Sequence, residues 1–484
     1  MNPTPLFLNY IDGQWAASTT GQTFENRNPA EHDELLGNFQ ASSADDARLA
    51  IEAADSAFSG WRATPISKRA KVLNGAADYL EENIEAFAEE LTREEGKLLS
   101  NSRDEIARSA QTLRFYAVEG LTITGETFPQ DDAKMTVYTQ REPLGVASII
   151  TPWNFPISIP ARKIAPALIT GNTVVFKPSS DAPLIAYRLA EALHHAGVPK
   201  GVFNFITGSA SALGQELTTH TAIKAISFTG STQAGEAIQQ AAAMSTRTQM
   251  ELGGKNPLIV LADANLDQAV DLTIKGGFSL TGQACTGTSR VLIEKSVKTD
   301  YLERLVAKVK ELKIGNGLAQ STQIGPLATR QQLDTVLRYI DIGKREAAHI
   351  HGGEHLTGEG YDNGYFVSPA IFSDVTQQMR IAREEIFGPV VAIIEVDGYE
   401  DAIAKANDSM YGLSAALATQ NLEYIQRFPS EIQSGTVKIN RTTTGNLVNA
   451  PFGGLKQSST STFRESGRAG LDFFTQTKTI YLGY

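Results

Sequence analysis

The sequence predicts an α/β protein built on two parallel sheets, each covered by helices, and two series of elements carry that expectation. From Val146 onward, short apolar runs at Val146–Ile150, Thr173–Phe176, Val202–Ile206 and Ala225–Phe228 alternate with helical stretches, of which Leu184–Ala196 and Ser231–Met244 are the clearest. Strands buried on both faces read as such runs, and a helix between consecutive strands returns the chain so that they lie parallel. A second series starts at Pro257–Leu261 and continues through Val291–Ile293 and Val390–Ile394, with helical periodicity at Asp300–Glu311 and Gln331–Arg345. A second domain of the same class is therefore expected to begin near residue 251. The length of 484 residues agrees, because one hydrophobic core rarely organises so long a chain.

Ahead of the first series, Asp45–Phe58 is Ala-rich and amphipathic. From Ile66 the residues Ala70, Leu73, Ala77, Leu80, Ile84, Phe87 and Leu91 recur at alternating spacings of four and three. This paints one apolar stripe on a single long helix that ends at Gly96. Thr122–Tyr138 and Thr475–Tyr484 are short and strand-prone. They read as arms that pair outside their own domain, or else as an ordinary hairpin and a frayed end. No internal repeat is present, and the only low-complexity run is Ser458–Thr462.

Composition narrows the function classes. The 54 acidic residues against 43 basic give a net charge of −11, which repels nucleic acid and anionic membranes in the absence of a basic patch. Met1–Tyr10 has no basic segment followed by an apolar one, and no apolar run approaches the roughly 20 residues of a membrane helix. A cytoplasmic enzyme is the expectation. One cysteine and seven scattered histidines offer no disulfide and no zinc spacing, so no metal is expected. Cys285 by itself reads either as a small buried hydrophobe or as a nucleophile.

No G-x-G-x-x-G follows any predicted strand. Instead, the Ala225–Phe228 run leads through Thr229-Gly230-Ser231 into a helix, whose free N–H groups suit a phosphate; a plain capped helix is the other reading. Lys177 stands at the carboxyl edge of the Thr173–Phe176 strand, where ligands of open α/β sheets sit, although it also reads as a surface lysine.

Five further segments complete the pattern: Thr151-Pro152-Trp153-Asn154-Phe155-Pro156, Met250-Glu251-Leu252-Gly253-Gly254-Lys255-Asn256-Pro257, Gly282-Gln283-Ala284-Cys285-Thr286, Glu384-Glu385-Ile386-Phe387-Gly388-Pro389 and Pro451-Phe452-Gly453-Gly454-Leu455-Lys456. In this order and spacing, over essentially the whole chain, the sequence resembles the aldehyde dehydrogenase superfamily. The resemblance implies two Rossmann-like domains plus oligomerisation arms. Residues 1–121 and 139–250 would bind cofactor, residues 251–440 would carry catalysis, and residues 122–138 and 460–484 would form arms in a homodimer or homotetramer.

The resemblance also implies roles for individual residues. Cys285 is the nucleophile that adds to an aldehyde, the Asn154 amide with the Cys285 N–H stabilises the oxyanion, and Glu251 activates the water that hydrolyses the thioester. Glu251 argues against acyl transfer to coenzyme A, since members that use a thiol acceptor typically lack it. Glu465 resembles a proton-relay glutamate, although its flanks depart from the usual pattern. For the cofactor, NADP and/or NAD, the resemblance points to Trp153, Lys177, Ser180, Gly230, Ser231, Glu385 and Phe387. Ser180 stands where NAD-preferring members often carry a glutamate, so no charge there repels a 2′-phosphate and NADP should be accepted.

Arg162 resembles the arginine that grips the distal carboxylate in succinic semialdehyde dehydrogenases; the plainer reading is a helix-start arginine paired with a surface carboxylate. The second arginine that some of those enzymes use is Ser279 here. The stretches Cys285–Arg290, Ile439–Gly445, Lys456–Thr460 and Phe463–Glu465 look closer to 2-oxoglutarate semialdehyde (2,5-dioxopentanoate) dehydrogenases, with Ser289 as a further substrate contact. Succinic semialdehyde, glutarate semialdehyde and 3-sulfolactaldehyde stay open as substrates. A catalytically silent protein on the same fold stays open too, and it would be expected to have lost one of Cys285, Glu251 and Asn154.

Overall fold

The computed structural model describes residues 4–460 and 462–484. Met1–Pro3 of the N-terminal segment, and Ser461 of the low-complexity run and C-terminal arm, lie outside the described residues. Two seven-stranded sheets form the frame. In the first, Arg247–Glu251, Ile223–Thr229, Val146–Ile150, Thr173–Lys177 and Phe203–Phe205 run parallel in that spatial order, and Asn9–Ile11 and Gln14–Ala16 complete one edge antiparallel. In the second, the order is Ala348–His351, Ala370–Ser373, Val390–Val396, Thr288–Glu294, Asn256–Val260, Ser414–Ala418 and Thr436–Ile439, parallel except at the Ala348–His351 edge. Every residue of Thr173–Lys177 and of Asn256–Val260 is buried, which explains their unbroken apolar reading.

The helices fall largely where periodicity puts them, at Ala44–Ala63, Leu184–His195, Thr232–Ala241, Lys298–Lys310 and Arg330–Glu346. One expectation is corrected. The stripe from Ile66 to Leu91 lies on two helices, Ile66–Glu82 and Ile84–Glu95, broken at Asn83. The Asn83 side-chain amide donates to the carbonyl of Tyr79 at 2.8 Å. Such local bonding competes with the helical ladder, while a break this short keeps the apolar stripe in phase.

The two arm segments pair with each other. Met135–Pro143 runs antiparallel to Thr475–Gly483 over nine residue pairs, and Thr127–Phe128 adds a third strand. Phe128, Tyr481, Leu482 and Tyr484 are exposed along it. A further three-stranded sheet, Leu6–Phe7, Glu31–Gln40 and Thr23–Asn28, precedes the helices. Among the described residues, no helix is long and apolar enough to cross a membrane.

Candidate active site

Cys285 sits on the loop between the helix Leu266–Gly277 and the strand Thr288–Glu294. Leu280 and Thr281 just before it hold left-handed backbone, φ +54° and +55°, a conformation that non-glycine residues keep only where surroundings impose it. Asn256, at the head of its strand, supplies part of that imposition. Its side-chain amide donates to the carbonyls of Cys285 at 2.8 Å and Gly287 at 2.9 Å, while its Oδ1 accepts the Ser414 N–H at 3.0 Å. A Cβ on Gly254 would lie 2.5 Å from the Cys285 carbonyl oxygen, so the approach of these two loops requires glycine there.

The thiol opens on a cavity of about 380 Å³ whose wall includes Phe155, Arg162, Ser279, Asn446 and Phe452. Burial, and then the charge of Glu385, push the thiol up to about 12, with Arg162 pulling the other way. The resting group is therefore a protonated thiol at neutral pH, and the thiolate needs a proton acceptor.

Glu251 ends its strand only 2 % exposed, and neither carboxylate oxygen has a protein hydrogen-bond partner among the described residues. Burial and the neighbouring Glu465 raise it well above the usual carboxylate range, against the pull of Lys163, Arg464 and Arg162. A buried carboxyl with raised affinity for protons and two free acceptor sites has the chemistry of a general base.

Asn154 is 3 % exposed. Its side-chain amide donates to the Gln283 carbonyl at 2.9 Å, two residues before Cys285. An amide nitrogen carries two donors, so this bond both ties Asn154 to the cysteine loop and leaves one N–H for a ligand.

Glu465 lies behind Glu251 and is buried with two cations, Lys163 at 2.9 Å and Arg162 at 3.3 Å. Burial opposes its charge, but Lys163 and Arg162 outweigh this and hold the carboxyl below its ordinary range. Lys163 went unnoticed in the sequence, as did the packing of Arg162 over the Phe452 ring at 5.5 Å. Arg162, 14 % exposed in the cavity wall, pairs with the buried Glu465 carboxylate rather than with a surface one. The structure does not bring Ser289 to this cavity. It lines a smaller one with Gly254, Glu385 and Phe387.

Of the residues expected to bind cofactor, Trp153, Lys177, Ser180, Gly230 and Ser231 lie at or just beyond the carboxyl ends of strands of the first sheet, while Glu385 and Phe387 precede the Val390–Val396 strand of the second. Lys177 is buried, donates to the Pro178 carbonyl at 2.9 Å, and is lowered to about 8 by burial. Ser180 donates its hydroxyl to the Gly208 carbonyl at 2.9 Å. Ser231 caps the Thr232–Ala241 helix by accepting the Ala234 N–H at 3.3 Å, and Gly230 precedes it at the strand end. Glu385 accepts the Gly254 N–H at 3.0 Å, and burial raises it to about 7. Trp153 meets Phe387 edge-on, with ring centroids 5.4 Å apart. Thr151 and Thr229, at the ends of neighbouring parallel strands, each bury a hydroxyl with no hydrogen-bond partner among the described residues. Unsatisfied polar atoms beside a helix N-terminus at that sheet edge fit a nucleotide.

Comparison with known proteins decides the family. The aldehyde dehydrogenase family model matches residues 15–480. The chain belongs to the aldehyde dehydrogenase family. This dehydrogenase is 44 % identical to an alpha-ketoglutaric semialdehyde dehydrogenase of Bacillus subtilis, covering 98 % of each chain. It is 42 % identical to an alpha-ketoglutarate semialdehyde dehydrogenase of Haloferax volcanii over 98 % of this chain and 99 % of the other. It superposes with TM-score 0.96 on the betaine aldehyde dehydrogenase of Staphylococcus aureus solved with NAD+, 34 % identical, covering 99 % and 95 % of the two chains. The enzyme is an NAD(P)-dependent aldehyde dehydrogenase.

Proposed function

We propose that the enzyme oxidises an anionic semialdehyde, 2-oxoglutarate semialdehyde first, to its carboxylate through a thioester on Cys285. The observation that carries the substrate class is the Arg162 guanidinium in the wall of the cavity onto which Cys285 opens. A guanidinium at that place pairs a carboxylate at the far end of a short aldehyde. The names of the Bacillus and Haloferax relatives support the same choice. Succinic semialdehyde, glutarate semialdehyde and 3-sulfolactaldehyde also carry an anionic end and are the competitors.

The chemistry starts from the Cys285 thiol and the ionised form of Glu251. The Cys285 thiol gives its proton to Glu251, and the thiolate adds to the aldehyde carbon. The oxyanion of the thiohemiacetal is met by the free Asn154 amide N–H and the Cys285 backbone N–H, a preorganised pair whose members each contribute about 3–4 kcal/mol in comparable sites. Lys177, Ser180, Gly230, Ser231, Glu385, Phe387 and Trp153 would hold NAD(P), which would supply the hydride acceptor that makes this step an oxidation. Once Glu251 has passed that first proton on, water attacks the Cys285 thioester with Glu251 taking one of its protons; collapse expels the Cys285 sulfur and leaves the carboxylic acid, whose proton returns Cys285 to its thiol as the carboxylate departs. Glu465, held ionised by Lys163 and Arg162, acts in the resting site as a fixed charge that raises the basicity of Glu251; relaying its proton outward is its second proposed role. The exposed apolar residues of the arm sheet support assembly into a homodimer or homotetramer.

A panel of semialdehydes and neutral aldehydes assayed with NAD and with NADP tests the proposal. The highest kcat/KM is expected for 2-oxoglutarate semialdehyde. A neutral aldehyde of equal length turned over with equal kcat/KM would defeat it.

A further inference from the structure

A buried ammonium on the far side of Asn154 has no part in the chemistry above. Lys97 follows the end of the Ile84–Glu95 helix, and its side chain is 1 % exposed. A charge so buried must find its partners inside the protein. Lys97 Nζ donates to the Glu105 carboxylate at 2.7 Å and to the main-chain carbonyl of Asn154 at 2.6 Å, and it stands 4.8 Å from the centre of the Phe155 ring. Burial works against the ammonium, and Glu105, its nearest carboxylate, pulls the other way and keeps it charged.

Glu105 uses its other oxygen to accept the N–H groups of Ile157 and Ser158, each at 3.2 Å, at the start of the Ser158–Thr170 helix. One ion pair thus grips the 154–158 turn at both ends. Its platform is fixed in turn. The Leu99 N–H donates to the Gly317 carbonyl at 3.0 Å, and a Cβ on Gly317 would fall 2.3 Å from the Lys97 carbonyl oxygen.

The same neighbourhood reaches the cysteine loop by a second route. Thr281 donates its hydroxyl to the Gly325 carbonyl at 3.0 Å, and Gln283 Oε1 accepts the Ala328 N–H at 2.9 Å. The bond from Asn154 to the Gln283 carbonyl then joins the two routes. Asn154 is therefore held from behind by Lys97 and in front by the loop that carries the nucleophile. A buried ion pair is a poor source of stability by itself, and an apolar pair of equal volume would pack at least as well. What the pair supplies is a directed bond on one carbonyl, 57 residues distant in sequence.

We infer that Lys97, held by Glu105, is a positioning residue for the oxyanion donor: its bond to the Asn154 carbonyl sets where the Asn154 side-chain amide stands beside Cys285. This rests on the assignment of Asn154 as that donor. Misplacing a catalytic group by about 1 Å costs on the order of 100-fold in rate, so the contribution is large enough to read in kcat.

The test is a double-mutant cycle on the full-length enzyme with saturating NAD(P), using Lys97→Met, Asn154→Ala and their combination. Asn154→Ala is expected to lower kcat by about 10²- to 10³-fold. Lys97→Met should lower kcat by about 10- to 100-fold while leaving the KM for NAD(P) in place. With Asn154 already truncated, Lys97→Met should cost less than about threefold more, because residues acting through one group are not additive. A purely structural lysine would instead give losses that multiply, and that result overturns the inference. Lys97→Met/Glu105→Gln removes the carboxylate left unpaired by the single variant and should keep most of the kcat defect in a folded protein. Wild-type kcat in either Lys97 variant, or failure of both to fold, would make Lys97 a residue of the fold and overturn the inference. If Asn154→Ala alone leaves kcat unchanged, the oxyanion assignment itself falls and the inference with it.

Discussion

Replacing Arg162 by Met removes the cation from the wall of the Cys285 cavity while keeping most of the side-chain volume. A charge-assisted hydrogen bond to a substrate carboxylate is worth about 1.5–3 kcal/mol, and each 1.4 kcal/mol is about tenfold. The guanidinium is not free, however: Glu465 holds its Nη1 at 3.3 Å, and a substrate carboxylate must share it. The lower half of the range therefore applies, and kcat/KM for 2-oxoglutarate semialdehyde should fall about 10- to 40-fold relative to a neutral aldehyde of the same length. A second effect has a definite sign. Arg162 pulls both the Cys285 thiol and the Glu251 carboxyl downward, so its loss raises both and moves the acidic limb of the pH profile to higher pH, even with a neutral aldehyde. Steady-state kinetics on both aldehydes across pH reads both effects, with thermal denaturation to establish that the variant is folded. An equal loss of kcat/KM for the anionic and neutral aldehydes would refute the substrate assignment.

Three further outcomes are expected. Cys285→Ser should cut turnover at least about 10³-fold while the melting temperature gained on adding NAD(P) stays within error of the parent's; a lost cofactor shift would mean that the loop, and not the thiol, was damaged. Ser180→Glu places a carboxylate where a 2′-phosphate would lie, so kcat/KM with NADP should collapse while NAD is retained, and a parent enzyme strongly selective for NAD would refute the reading of Ser180. Glu95, whose Oε1 has no hydrogen-bond partner among the described residues, is raised by burial from 4.5 to about 8. Its folded form then keeps a proton that the unfolded chain releases, so its favourable contribution is complete below about pH 4.5 and is lost as pH rises towards 8. Glu95→Gln should accordingly raise the melting temperature at pH 8.5 and not at pH 5, and a rise of equal size at both would refute the protonated reading.

The parts of the molecule that were legible in the sequence share a physical cause. The Val146–Ile150 and Thr173–Lys177 strands are read easily because burial on both faces demands unbroken apolar runs. Asn83 is not, because a one-residue break leaves the apolar spacing intact. The strands Thr23–Asn28 and Glu31–Gln40 escape notice because register shifts at Arg27 interrupt their alternation and much of their length is only partly buried. Cys285, Glu251 and Asn154 stand out through the family's short motifs. The partners that set their states do not, since Lys163, Lys97 and Asn256 reach carboxylates or backbone carbonyls distant in sequence, contacts that exist only once the chain has folded. For the same reason, the sequence points to Cys285 as a nucleophile without its protonation state, which burial in the folded site pushes towards the thiol. Its anion must be generated during the reaction.

The central claim is that Cys285 carries the acyl group and Glu251 releases it. Intact-protein mass spectrometry of Glu251→Gln, quenched after mixing with aldehyde and NAD(P) at alkaline pH so that hydroxide can take the thiol proton, tests it most directly. The account predicts an added acyl mass that maps to Cys285, together with about one equivalent of reduced nicotinamide per subunit and little further turnover. An unmodified Cys285, or turnover of Glu251→Gln at the parent rate, would contradict it.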